Sequence, residues 1–164
     1  MPQRIKAVPE EIREWLSYDE KTGHLTWLKG RGKAKTGSTA GTLMDNGYLS
    51  LRFKEVFYRC HRVGWFLHYG KQPYILDHVN DIKSDNRLSN LQEVTDQENL
   101  ILARIRKGAG VCWCNDKSHK AGGFYRATWG TEILYQGLNE QIARRTRAAR
   151  EQQWLEENPH IRME

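Results

Sequence analysis

Four polar side chains carry the clearest chemistry in this chain: Asp77 and His78 side by side, Asn90 twelve residues after His78, and Asn99 twenty-one after it. A neutral imidazole can take a proton from water, a carboxylate and an amide oxygen can hold a hard cation, and a second amide can orient the imidazole. Together these are the parts needed for metal-assisted phosphodiester hydrolysis. The same residue types also serve turns and caps. Spacing alone therefore leaves open a polar hairpin loop with a satisfied histidine.

The surrounding elements would bring the four together. Tyr74 to His78 is strand-like, a polar loop runs to Ser89, and Asn90 to Val94 is a second strand. Thr95-Asp96-Gln97-Glu98 then has the form of a capping box opening a helix to about Lys107, stopped by Gly108. A strand–loop–strand–helix unit of this size has little core of its own and must pack on upstream elements. Those elements are a short helix from Pro9 with Ile12, Trp15 and Leu16 on one face, a strand over His24 to Leu28, and a basic glycine loop from Lys29 to Ser38. A turn at Asp45-Asn46-Gly47 follows, then a hairpin of Tyr48–Phe53 and Val56–Cys60 around Lys54-Glu55, and a short buried helix with Val63, Trp65, Phe66 and Leu67, ended by Gly70.

Charge is distributed in blocks. Residues 22–55 carry a balance of +4, residues 72–99 of −4, and residues 104–150 of +7, so an acidic island lies between two basic arms. If the arms grip phosphates, the island needs a cation before it can approach them. The whole chain of 164 residues has 26 Lys and Arg against 20 Asp and Glu, a net charge of +6, and a pI near 9.3. That balance favours a polyanion, nucleic acid first and an anionic membrane surface second. The length allows one domain or two small ones and excludes a large multi-lobed enzyme. No apolar run approaches a spanning helix and MPQRIKAVPEEIR lacks the apolar stretch of a signal peptide, so a cytoplasmic protein is expected. Cys60, Cys112 and Cys114 are odd in number and read as reduced thiols. A zinc site built on Cys112, Cys114 and His119, with Cys60 as a further ligand, lacks the usual spacing.

The text LDHVNDIKSDNRLSNLQEVTDQENL, from Leu76 to Leu100, resembles the His-Asn-His (HNH) endonucleases, especially the phage-type homing and nicking enzymes. SYDEKTGHLTWL at 17–28 and YRCHRVGWFLHYGKQP at 58–73 resemble that family as well. The resemblance implies a ββα-metal core in which His78 is the general base and Asn90 holds its ring. Asp77 and Asn99 would bind one divalent ion, Mg²⁺ or alternatively Mn²⁺, with no organic cofactor. The third position is Asn99 where the family name has His; some phage members share that asparagine. His61 matches a histidine frequent in the family's HR segment and is read as a packing residue or a phosphate contact.

From Gly108 onward three short strands, Val111–Cys114, Gly123–Trp129 and Glu132–Gln136, precede a helix capped by Asn139 and ended before Pro159. Gly110 to Arg150 resembles the APETALA-type (ethylene-response-factor) DNA-binding domain, with Gly110-Val111-Cys112-Trp113, Tyr125-Arg126-Ala127 and Asn139-Glu140-Gln141-Ile142-Ala143 as the matching text. The resemblance implies a sheet reading duplex DNA through Trp113, Lys117, Lys120, Arg126 and Trp129. On the helix, Ile142, Ala143, Thr146 and Ala149 read as the core stripe, while Arg144 and Arg147 are assigned to phosphates. In the basic loop, Lys29, Arg31, Lys33 and Lys35 are further DNA candidates.

The expected fold is α+β: a ββα-metal nuclease domain over 1–107 (core 74–107) with N-terminal hairpin and helix elements, then a three-stranded antiparallel sheet plus helix over 108–164. The expected function is cleavage of double-stranded DNA to 5′-phosphate and 3′-hydroxyl ends by a phage-encoded enzyme in a bacterial host. The alternatives are a DNA-binding regulator with an inactive site and an RNA-directed nuclease or binder. One active site cuts one strand, so a monomer would nick and a double-strand break would need a dimer or a second event.

Overall fold

The computed structural model describes residues 6–116, 118 and 120–163, which fall into two compact units. Lys117 and His119 lie outside the described residues. The first unit runs to Thr95 and includes Arg162 and Met163; the second is Asp96–Ile161. Among the described residues no helix is long and apolar enough to cross a membrane.

In the first unit Pro9, at φ −73°, leads into a 3-10 turn over Glu10–Glu14 that inserts Ile12 into the core. This turn stands where the sequence predicts a short helix; it is too brief for α-helical hydrogen bonding to propagate. Strands β1 (Leu16–Tyr18), β2 (Leu25–Trp27) and β3 (Thr39–Ala40) form an antiparallel sheet in that order. A second sheet orders β4 (Thr42–Leu43), β5 (Leu49–Phe53) and β6 (Val56–Arg59). The hairpin turn between β5 and β6 is Lys54-Glu55, with φ of 45° and 64°. Two consecutive left-handed residues match the right-handed twist of the strands, the geometry of a two-residue hairpin loop. Helix α1 (Cys60–Tyr69) ends at Gly70, whose φ of 72° supplies the left-handed cap and whose amide donates to the Phe66 carbonyl, and the Arg13 guanidinium donates to the carbonyls of Phe66 and Leu67. Strands β7 (Ile75–His78) and β8 (Leu91–Val94) pair antiparallel, with His78 opposite Leu91 and Asp77 opposite Gln92.

The main core gathers Ile12, Leu16, Leu25, Phe53, Val63 and Phe66 from five different elements. A smaller cluster of Trp65, Leu76 and Leu91 joins α1 to the β7–β8 pair. Because Val63 and Phe66 face the first cluster and Trp65 the second, α1 is the element that fixes the hairpin to the rest of the unit.

The second unit opens with helix α2 (Asp96–Arg106). It continues with β9 (Val111–Asn115), β10 (Gly123–Trp129) and β11 (Glu132–Gly137) in an antiparallel sheet of order β11-β10-β9, then α3 (Glu140–Glu157). Asn139 caps α3, its Oδ1 accepting from the Ile142 amide at 3.1 Å. The buried stripe of α3 is Ala143, Arg147 and Trp154. The stripe expected through Ile142 and Ala149 is therefore rotated: Ile142 is 45% exposed. Spacings of four and seven residues carry Trp154 onto Trp129, their ring centroids 6.1 Å apart, and that large contact sets the helix rotation.

Candidate active site

His78 stands at the end of β7, 4% exposed, with its Nε2 3.3 Å from Asn86 Oδ1. The loop from Val79 to Ser89 that carries Asn86 is held from several sides. Asn90 accepts from the Asn80 amide at 3.0 Å and donates to the Asp85 carbonyl at 2.8 Å, so one buried side chain closes the loop. The Asn80 side-chain amide donates to Asp85 Oδ2 at 2.9 Å, and Arg87 donates to both Asp85 oxygens at 2.8 and 2.6 Å. The Arg87 guanidinium holds the Asp85 carboxyl down at about 2.

The N-terminal segment braces the same loop. Tyr18 on β1 donates its hydroxyl to the Asn86 carbonyl at 2.7 Å, and the Leu88 amide donates to the Glu20 carbonyl at 3.0 Å. Burial pushes the Tyr18 phenol well above its ordinary range, so the hydroxyl remains a donor. Gly23 turns at φ +74°, and a Cβ there would lie 2.4 Å from the Arg87 amide nitrogen and the Asn86 carbonyl carbon. Only glycine fits this contact.

These bonds revise the part assigned to Asn90. Its side chain is committed to two backbone groups, and the amide beside the His78 ring is that of Asn86. Asn90 acts on His78 through the loop it closes, because its Oδ1 and Nδ2 satisfy groups that would otherwise be buried without partners. Asp77, 7% exposed, accepts from Gln92 Nε2 at 2.8 Å. Gln92 is locked in turn by Arg162, whose amide donates to Gln92 Oε1 at 2.8 Å and whose carbonyl accepts from Nε2 at 3.1 Å. Asn99 is exposed in the first turn of α2, in the second unit.

Two further aromatic rings gather at His78. His61 on α1 sets its ring edge-on at 5.0 Å between centroids, and Tyr48 lies 5.3 Å from His61 and 5.9 Å from His78. His61 is buried and among the described residues its Nδ1 has no partner; burial, reinforced by His78, Arg62 and Arg59, pushes its pKa down to about 3. It is a neutral packing ring at ordinary pH. Asn86, Gln92, Tyr18 and Arg162 escape a motif reading because their contacts span up to 73 residues of sequence.

Of the basic-loop candidates, Lys33 and Lys35 are exposed, Lys29 pairs with Glu14 at 3.0 Å, and the Arg31 guanidinium lies 5.3 Å from the Phe53 ring centroid. In the second unit Trp129 faces α3, and Arg147, 5% exposed, stacks its guanidinium on Trp129 at 4.3 Å while pairing with Glu151 at 2.7 Å. The two are packing partners, which corrects their assignment as DNA contacts. Arg126 points to the opposite side of the sheet from Trp129 by strand alternation. Trp113 is 44% exposed and pairs with Tyr125 on the α3 side. Lys120 is exposed, and Arg144 is exposed while bonded to Glu140 at 2.6 Å. Cys112 and Cys114 approach to 3.7 Å between sulfurs, Cys60 is buried in the other unit, and among the described residues no group of three or more His, Cys, Asp or Glu could hold a metal ion.

Residues 58–101 match the family model described as HNH endonuclease. The matched stretch includes His61, Asp77, His78, Asn90 and Asn99 and is similar there to a family of nucleases. A solved structure concerning DNA binding and cleavage by the HNH homing endonuclease I-HmuI is similar at 22% identity and a TM-score of 0.43, over 57% of this chain and 53% of that one. This chain thus spans about half the length of that relative. No curated protein sequence matches.

Proposed function

We propose that the chain is a divalent-metal-dependent endonuclease of the homing or nicking type, hydrolysing duplex DNA to 5′-phosphate and 3′-hydroxyl ends. The observation that carries this reading is the buried imidazole of His78 on the amide of Asn86 inside the HNH-matched segment. With Asn86 Oδ1 accepting from Nε2–H, the ring is held in the tautomer whose Nδ1 accepts a proton. His78 would take that proton from water as it attacks phosphorus opposite the 3′ oxygen, which leaves the phosphate on the 5′ end.

The donor chemistry suits a hard cation: within the first unit Asp77 offers the carboxylate that would hold it. So few protein ligands match the habit of Mg²⁺, which keeps water and substrate phosphate in its shell, with Mn²⁺ the alternative. When bound, such an ion supplies charge stabilisation at the scissile phosphate and the leaving oxygen. Gln92 orients Asp77, and Asn90 keeps the loop in register.

The second unit would hold DNA on the sheet face away from α3, where Arg126 lies. The APETALA resemblance and a three-stranded sheet backed by one helix support this, and the division into a nuclease domain over 1–107 and a DNA-holding domain over 108–164 is kept with it. A phage-encoded enzyme acting inside a bacterial cell follows from the same resemblances.

The test is cleavage of long duplex DNA by wild type and His78→Ala with Mg²⁺, Mn²⁺ or EDTA, resolved on native and denaturing gels. Metal-dependent cutting that the variant loses is the expected result, and breaks seen only on the denaturing gel identify a nickase. Binding without cutting by both proteins in every metal refutes the nuclease reading and favours a DNA-binding regulator.

A further inference from the structure

A cationic and aromatic cluster lies against His78 that the catalytic reading does not use. The Tyr48 ring, already in contact with His61 and His78, has the Arg59 guanidinium 4.6 Å from its centroid and the Lys83 ammonium 5.4 Å from it. These cations come from different elements, β6 and the Val79–Ser89 loop. Both are tied to Asn46: Arg59 Nη1 donates to its Oδ1 at 3.0 Å and Lys83 Nζ to its backbone carbonyl at 3.4 Å. Among the described residues neither has a carboxylate partner, unlike Arg87, Lys29, Lys71 and Arg144, which are all in ion pairs. A cation–π contact at an exposed site contributes only about 0.5–1 kcal/mol. Two cations held at one ring, and in no ion pair among the described residues, make a site suited to an anion.

The sheet continues the feature. Leu51 and Phe53 of β5 point into the core, so alternation turns Arg52 outward, and its cross-strand partner Phe57 is 63% exposed on the same face. Arg59 lies two residues along β6 from Phe57 and shares that face. A row of Arg52, Phe57 and Arg59 thus leads to Tyr48 and on to His78.

We propose that Tyr48, Arg59 and Lys83 form a cradle for a backbone phosphate of the strand being cut, with Arg52 and Phe57 extending its track along the outer face of the β4–β5–β6 sheet. The proposal rests on the DNA reading above and names where that DNA runs beside the base. The cations neutralise phosphate, and the Tyr48 ring and Asn46 hold them in place. The cradle sets binding and register, and the proton transfer stays with His78.

The experiment measures affinity for a short duplex across salt, in EDTA so that no strand is cut, for wild type, Lys83→Gln, Arg59→Gln, the double variant, and the charge-retaining Lys83→Arg and Arg59→Lys. Each lost phosphate contact makes the log–log salt slope shallower by about 0.9, which changes the loss of affinity between about 50 and 200 mM salt by about 3.5-fold. The double variant should make the slope shallower by about 1.8, about a 12-fold change over the same interval, the charge-retaining variants should keep the wild-type slope, and the acid limb of the cleavage pH profile should not move. Lys83 is exposed, so Lys83→Gln leaves the core intact and decides the matter even if an Arg59 variant misfolds. An unchanged slope in Lys83→Gln overturns the cradle while DNA binding stands. A wild-type chain that binds no duplex at any salt removes the DNA reading and the cradle with it.

Discussion

His61 makes stability depend on pH in a way that can be worked from the structure. Its folded pKa is about 3 against an ordinary 6.5, because burial excludes the charged ring. The unfolded chain therefore binds a proton below pH 6.5 while the folded chain does not until about pH 3. The contribution is fully present above 6.5, is lost as the pH falls, and reaches its full loss near pH 3. Between pH 7 and 5 the loss is about 2 kcal/mol at 1.36 kcal/mol per unit. This figure depends almost wholly on the unfolded pKa, since the folded ring stays neutral at pH 5. Asp85 acts in the same direction only below its ordinary value of 3.8, outside this window. The assay is urea unfolding of the full chain at pH 7, 6 and 5, followed by circular dichroism and tryptophan fluorescence, for wild type and His61→Asn. Wild type should lose about 2 kcal/mol more than the variant on going to pH 5. An equal loss in both would refute the neutral buried ring.

Asn86→Asp places a negative charge beside His78 Nε2 and should raise the acid limb of kcat/KM against pH by about one unit, whereas a purely structural Asn86 would lower the rate without moving the limb. Asn90→Ala leaves the Asn80 amide and the Asp85 carbonyl without their partner; a loss of about 1–3 kcal/mol in chemical denaturation, with a lowered kcat, is expected. Arg147→Ala should lower the melting temperature of the chain and leave the salt slope of DNA binding unchanged, because its guanidinium is stacked on Trp129. Phe53→Ala, at a site 1% exposed, should cost about 3–5 kcal/mol in the same denaturation experiment.

The hairpin at Lys54-Glu55, the strands on either side of the Val79–Ser89 loop and the Asn139-capped helix are legible in the sequence because local rules determine them: turn residues, alternation and a cap. The three-residue β1 and the two-residue β3 and β4 are too short to show a period and exist through pairing with distant strands. His78 and Asn90 are legible from type and spacing, but their connection is not. A spacing of twelve residues cannot tell which amide of a folded loop reaches the ring, and Asn86 does so because Tyr18 and Gly23 hold its backbone from far upstream. Trp129 and Arg147 look like surface residues by type, yet a cation and an indole can bury each other. Composition is silent on that outcome.

The loop closed by Asn90 also bears on how such a nuclease can diversify. Asn80, Asp85 and Asn90 fasten the base of the loop, and Asp81, Ile82, Lys83 and Ser84 at its tip are exposed. Substitutions at the tip can be sampled without disturbing the fastening that holds Asn86 against His78. A library randomised at 81–84 would vary the grip on the target while sparing the chemistry, so new preferences could be selected from active parents.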